Sequence, residues 1–170
     1  VARGVAGAHG SGTVLVEGRA IGQKLAERFG QPVFIENRPG AGGSIGADVV
    51  AKAAPDGYTL LLHHIGMSTS PALYRNLPFK VLDDYEFLGM VNAVPMTLFG
   101  RPTLPANYSA ELAKWIEANK GKINLANAGL GAASHLCGLL FQSTVKVEMQ
   151  TVPYKGTGPN LVDLVAGRTH

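Results

Sequence analysis

The chain has 170 residues, 46% of them apolar and 16% charged, a composition that points to a folded globular protein and argues against a disordered one. Lys plus Arg exceed Asp plus Glu by 15 − 12 = 3, with no block of like charges and with only one Trp, five Tyr and six Phe, so a nucleic-acid-reading surface is not expected. The length suits one large domain or two small ones, and the mild positive balance agrees with an anionic small ligand.

Residues 1–13 are rich in Gly and Ala and show no clear period. From Arg19 to Phe29 the apolar positions Ile21, Leu25 and Phe29 recur every fourth residue, which predicts an amphipathic helix stopped by Gly30. Pro32 to Glu36 reads as a short strand closed by the turn Asn37-Arg38-Pro39-Gly40. Ser44 to Ala54 reads as a helix, and Tyr58 to Leu62 as a continuous apolar strand of the kind buried in parallel sheets. Helix, strand, helix, strand is the alternation of an α/β fold.

Farther along, Pro71 to Tyr74 predicts a short helical turn, and Phe87 to Val94, extended through Phe99, predicts a strand. Ser109 is expected to cap a helix over 110–119 with Leu112, Trp115 and Ile116 on one face. A strand over 123–126 follows, then a helix from Ser134 to Thr144 with Leu136, Leu139 and Leu140 inward. A strand over 147–152 and a helix over 159–165 complete the pattern. The proline-rich, charge-poor stretch 94–105 is the expected boundary between a first unit, 1–97, and a second, 98–170.

No apolar run of about 18 residues is present, so no membrane-spanning helix is expected. The single cysteine, Cys137, permits no internal disulfide and is expected to pack as a small buried hydrophobe. The N-terminus, Val1-Ala2-Arg3-Gly4-Val5, lacks both Met and a signal-peptide pattern, which reads as a mature form or a fragment.

Ligands of open α/β sheets bind where strands end and helices begin, because helix N-termini present free N–H groups. Four loops qualify: 10–13, 40–46, 63–70 and 127–135. The second, Gly40-Ala41-Gly42-Gly43-Ser44-Ile45-Gly46, approaches a dinucleotide fingerprint, so an α/β nucleotide-binding domain or enzyme is the alternative reading. A proline precedes its first glycine, however, and the acidic residue farther on is only the turn residue Asp56. Tight turning and close helix packing explain the glycines better. His63 and His64 are adjacent and would point to opposite faces of a strand, which does not suit one metal ion. Ser134 and His135 are neighbours without a nucleophile elbow, so no catalytic residue is assigned.

Glu36-Asn37-Arg38-Pro39-Gly40-Ala41-Gly42-Gly43-Ser44-Ile45-Gly46-Ala47, followed by Ala51-Lys52-Ala53-Ala54-Pro55-Asp56-Gly57-Tyr58-Thr59-Leu60-Leu61, resembles the signature of the Bug/TctC family of extracytoplasmic solute receptors. The resemblance continues through Pro71-Ala72-Leu73-Tyr74, Leu77-Pro78-Phe79, Gly121-Lys122-Ile123-Asn124, Ser134-His135-Leu136 and Val152-Pro153-Tyr154-Lys155-Gly156. It implies a two-lobed, Venus-flytrap α/β fold of the periplasmic-binding-protein kind, a periplasmic location, a small carboxylate ligand and a membrane permease as partner. It implies no cofactor, no metal and no chemistry on the ligand.

By position, the resemblance places first-lobe binding residues at Ser11, Gly12 and Thr13 and at Gly66, Ser68 and Thr69. It places the second-lobe residues at Asn127, Gly129, Gly131, Ser134 and His135. The chain departs from the family at Val5-Ala6-Gly7-Ala8-His9, at Val14 where an acid is expected, and at Ala132 and Ala133 where hydroxyls are common. It also ends little more than halfway through a family member, so the return of the chain to the first lobe is expected to be missing.

Overall fold

In a computed structural model of the chain, residues 2–6 and 12–169 are described. Strand β1 (Ala2–Ala6) leads into helix α1 (Gly12–Phe29) and strand β2 (Val33–Asn37). A single 3-10 turn (Ala41–Gly43) then opens helix α2 (Ser44–Ala51), followed by β3 (Thr59–Leu62) and α3 (Gly66–Leu73). After a long stretch without regular elements come α4 (Ser109–Ala118), β4 (Asn124–Asn127), α5 (Ala133–Val145), β5 (Gln150–Pro153) and α6 (Thr157–Val165).

The strands form two separate parallel sheets, of order β2-β1-β3 and β4-β5. β1 is the central strand of the first, although its sequence, Ala2-Arg3-Gly4-Val5-Ala6, carries no alternation that would mark it. Parallel strands need crossover connections, supplied here by α1 from β1 to its neighbour β2 and by α2 from β2 past β1 to β3.

Helix α1 starts earlier than its Arg19–Phe29 periodicity suggests. Among the residues of α1 whose burial is described, the buried ones are Val14, Gly18 and Gly22, one every fourth position, while Phe29 is 60% exposed. Val14 packs on Ile35 and Leu62. A Cβ at Gly22 would stand 2.7 Å from Ile35 Cδ1, so glycine lets the helix lie close on β2. On the other side of the first unit, Ala47 of α2, Met67 of α3 and Phe79 form a core with Leu61, Leu77 and Tyr85 around it. Tyr85 stacks edge-on against Phe79 and donates its hydroxyl proton to the Ala47 carbonyl at 2.8 Å.

The second core gathers Ile116 of α4, Ile123, Val147 and Met149, with Leu112, Trp115, Leu125, Phe141 and Val145 against them. The expected Leu112, Trp115 and Ile116 face of α4 is therefore the buried one. Ser109 does not cap this helix: Tyr108 holds the cap position, and Glu111 reaches back to accept the Asn107 N–H at 2.8 Å.

The α5 face is rotated from the expected one. Leu139 and Leu140 are exposed, and Gly138 lies where a Cβ would meet Leu125 at 3.1 Å, so the helix packs through its small residue. Cys137 is on the exposed side of α5, contrary to the expectation of a buried thiol. The stretch 87–99 forms no strand either: Leu88 and Met90 are more than three-quarters exposed. An isolated extended segment cannot pair its backbone groups, and among the described residues no neighbouring strand takes it up.

Candidate functional site

In each sheet the strands are parallel, so their strand-to-helix turns emerge at one end, the carboxyl end where ligands of such sheets bind. The most elaborate turn joins β4 to α5. Asn127, the last residue of β4, is 2% exposed, and its Oδ1 accepts the Gly129 N–H at 2.9 Å. The Ser134 hydroxyl oxygen, in the first turn of α5, accepts the Ala128 N–H at 3.0 Å, which leaves its own proton to donate. The neighbouring strand extends the ladder: Tyr154 N–H donates to the Asn127 carbonyl and Gly156 N–H to the Ala128 carbonyl, at 2.9 and 3.1 Å. Gly129 (φ 128°) and Gly131 (φ 80°) take backbone conformations that side chains disfavour, which is why the loop can fold back on itself.

His135 completes the loop. It is 8% exposed, and its Nδ1 accepts the Gly131 N–H at 3.3 Å, which requires the neutral ring with its proton on Nε2. Burial holds its pKa below the ordinary imidazole value. The N-terminus of α5 opens on this loop, and the positive end of a helix dipole favours an anion. The N–H groups of Ala128, Gly129, Gly131 and Ala132 are spent inside the loop, so what the arrangement offers is the Ser134 hydroxyl proton and the first-turn N–H groups of α5, without a charged side chain.

The first sheet meets this loop through α3. The loop expected over 63–70 is in fact a short turn, and helix starts at Gly66. That turn is closed by two imidazoles: His63 Nδ1 accepts the His64 N–H and His64 Nδ1 accepts the Gly66 N–H, both at 2.9 Å. Burial also lowers the pKa of His63. Ser68 and Thr69 fall in the first turn of α3 and donate their hydroxyls to the Ile65 carbonyl, at 2.9 and 3.4 Å. At the far end of the same helix Tyr74 donates its hydroxyl to the Leu130 carbonyl at 2.9 Å, and the Leu73 side chain approaches Gly131.

The glycine loop 40–46 has a structural explanation. Gly40, Gly42 and Gly43 have positive φ, and Gly42 and Gly43 are buried. The Gly42 carbonyl oxygen would stand 2.8 Å from a Cβ at Gly66, so the loop packs directly on the start of α3.

The candidate residues thus divide. Asn127, Gly129, Gly131, Ser134 and His135 share one hydrogen-bonded loop. Gly66, Ser68 and Thr69 share one helical turn of the other unit. Gly12 and Thr13 open α1, and Ser11 lies outside the described residues. An apolar concavity between Leu98, Phe99, Leu104, Trp115 and Met149 contains none of these residues. Among the described residues no group of three or more His, Cys, Asp and Glu is placed to hold a metal, and no helix is long and apolar enough to cross a membrane.

Two parallel α/β sheets whose strand-to-helix turns lie at the carboxyl ends of the strands have the architecture of a ligand-binding α/β protein. The comparisons with known proteins agree. A family model described as the tripartite tricarboxylate transporter family receptor matches residues 18–170. A protein from the TAR-I ttuE-ttuC' intergenic region of Agrobacterium vitis is 45% identical over 150 residues, which is 88% of this chain and 43% of that one. The solved structure of the periplasmic binding protein BugD superposes with a TM-score of 0.90 at 43% identity, covering 99% of this chain and 56% of its own. MatC (Rpa3494) from Rhodopseudomonas palustris, solved with bound malate, gives a TM-score of 0.86 at 36% identity over 99% of this chain and 58% of its own.

The chain belongs to the tripartite tricarboxylate transporter receptor family, a family of periplasmic binding proteins and not of enzymes. It spans about half the length of the relatives it matches. The reading of Gly40–Gly46 as a nucleotide or catalytic loop is dropped on these grounds.

Proposed function

We propose that the protein captures a small di- or tricarboxylate between its two sheets and delivers it to the membrane permease of a tripartite tricarboxylate-type transporter. The observation that carries this reading is the loop 127–135, where the Ser134 hydroxyl, with its proton left to donate, and the first-turn N–H groups of α5 come together at the end of β4 without a charged side chain. Such a site suits an anion held by oriented dipoles. The malate seen in MatC supports a dicarboxylate as the ligand class. In this reading the lobes are 1–97 and 98–170. Asn127, Gly129, Gly131, Ser134 and His135 line one wall of the cleft, and Gly12, Thr13, Gly66, Ser68 and Thr69 line the other.

Thermal unfolding in the presence of malate, citrate and ATP tests it. A ligand that binds only the folded state stabilises it by about 2.7 kcal/mol at a hundredfold excess over its Kd. The midpoint is expected to rise with malate or citrate and to stay unchanged with ATP. A rise with ATP alone would reverse the assignment.

A further inference from the structure

The peptide between Leu130 and Gly131 is held from both sides. Its carbonyl oxygen accepts the Tyr74 hydroxyl at 2.9 Å, and its N–H donates to His135 Nδ1 at 3.3 Å. Tyr74 is the C-terminal cap residue of α3, in the half of the chain that carries the first sheet, whereas His135 is on α5 in the half that carries the second. A peptide unit is planar and trans, so its C=O and N–H point in opposite directions. Fixing the carbonyl from one side therefore aims the N–H at the other.

Contact between the same groups supports the hydrogen bond. A Cβ at Gly131 would lie 3.1 Å from Leu73 Cδ1 and 3.7 Å from Tyr74 Cε2, and the φ of +80° at Gly131 is itself glycine-favouring. The end of α3 thus rests on the bare backbone of the loop. The Pro71-Ala72-Leu73-Tyr74 motif, noted in the sequence without a role, is the segment that makes this contact.

We propose that Tyr74 is a positioning residue for the carboxylate loop: its hydroxyl orients the Leu130–Gly131 peptide, keeps the Gly131 N–H on His135, and so links docking of α3 to the binding-ready shape of residues 127–135. This rests on the carboxylate reading for its effect on affinity, while its effect on the loop stands apart from any ligand. Tyr74→Phe isolates the hydroxyl, because the ring that packs near Gly131 is kept.

Two measurements on the intact protein decide the matter. In the ligand-free state, NMR should show the Gly131 amide and the His135 ring nitrogens of Tyr74→Phe shifted from those of the wild type, with faster exchange of the Gly131 amide. Titration calorimetry with malate should show affinity lowered roughly three- to tenfold, as expected for one lost hydrogen bond. Unchanged Gly131 and His135 resonances would overturn the proposal. So would shifted resonances with unchanged malate or citrate affinity. If the wild type binds neither acid, the carboxylate reading fails, and the ligand-free resonances alone then decide whether Tyr74 orients the loop.

Discussion

Replacing Asn127 by Leu removes the amide acceptor and donors while keeping the branched, four-heavy-atom shape of the side chain. Asn127 is 2% exposed, and its Oδ1 is the partner of the Gly129 N–H at 2.9 Å. In the variant that N–H stays in the folded loop facing a hydrocarbon. A buried donor left unpaired costs about 1–3 kcal/mol, more than the net worth of an ordinary hydrogen bond. For a chain of this size each kcal/mol lowers the unfolding midpoint by about 2–4 °C, so 2 kcal/mol corresponds to a fall of about 4–8 °C. Circular dichroism melts of Asn127→Leu against the wild type give the direct measurement. Hydrogen exchange at Gly129 locates the effect. An Asn127→Leu variant as stable as the wild type, with Gly129 still protected, would refute the claim that this side chain holds the loop.

Stability should fall as the solution is acidified through the imidazole range. The folded-state pKa values of His63 and His135 lie below the ordinary value, chiefly because burial disfavours the charged ring. The unfolded chain therefore takes up protons first as pH drops below about 6.5, and stability declines from there down to the depressed folded values. Above that window the two rings are neutral in both states and contribute no pH dependence. Urea titrations between pH 8 and pH 5 should show this slope in the wild type and a shallower one in His63→Gln/His135→Gln. Gly66→Ala should cost about 1–3 kcal/mol, because the new Cβ would stand 2.6 Å from His64 Cε1 and 2.8 Å from the Gly42 carbonyl oxygen. A melting midpoint equal to that of the wild type would contradict that packing.

Several elements were legible in the sequence because local rules decide them. Gly30, with φ 61°, ends α1 where its sequence places the stop. The α/β alternation from Pro32 to Leu62 and the strand, glycines and helix around 127–135 follow from spacing and composition. What escaped notice depends on partners distant in sequence. β1 is central because β2 and β3 flank it, not because of its own residues. Residues 87–99 have the apolar content of a strand, yet pairing is a property of neighbours. In α1 the buried line of Val14, Gly18 and Gly22 is set by how near the helix lies to Ile35, and two of those three residues carry no hydropathy signal. In the candidate site, the acceptor roles of Asn127 and Ser134 toward the loop's own N–H groups, and the reach of Tyr74 to Leu130, appear only once the chain is folded.

The all-parallel order β2-β1-β3 also bears on the timing of folding. β1 can take its central place only after the segment through Leu62 exists to flank it. Contacts between such distant segments require closure of long loops before they yield any stabilisation, and they form slowly. The nascent segment therefore has no early, locally stable sheet to lock it into a compact shape.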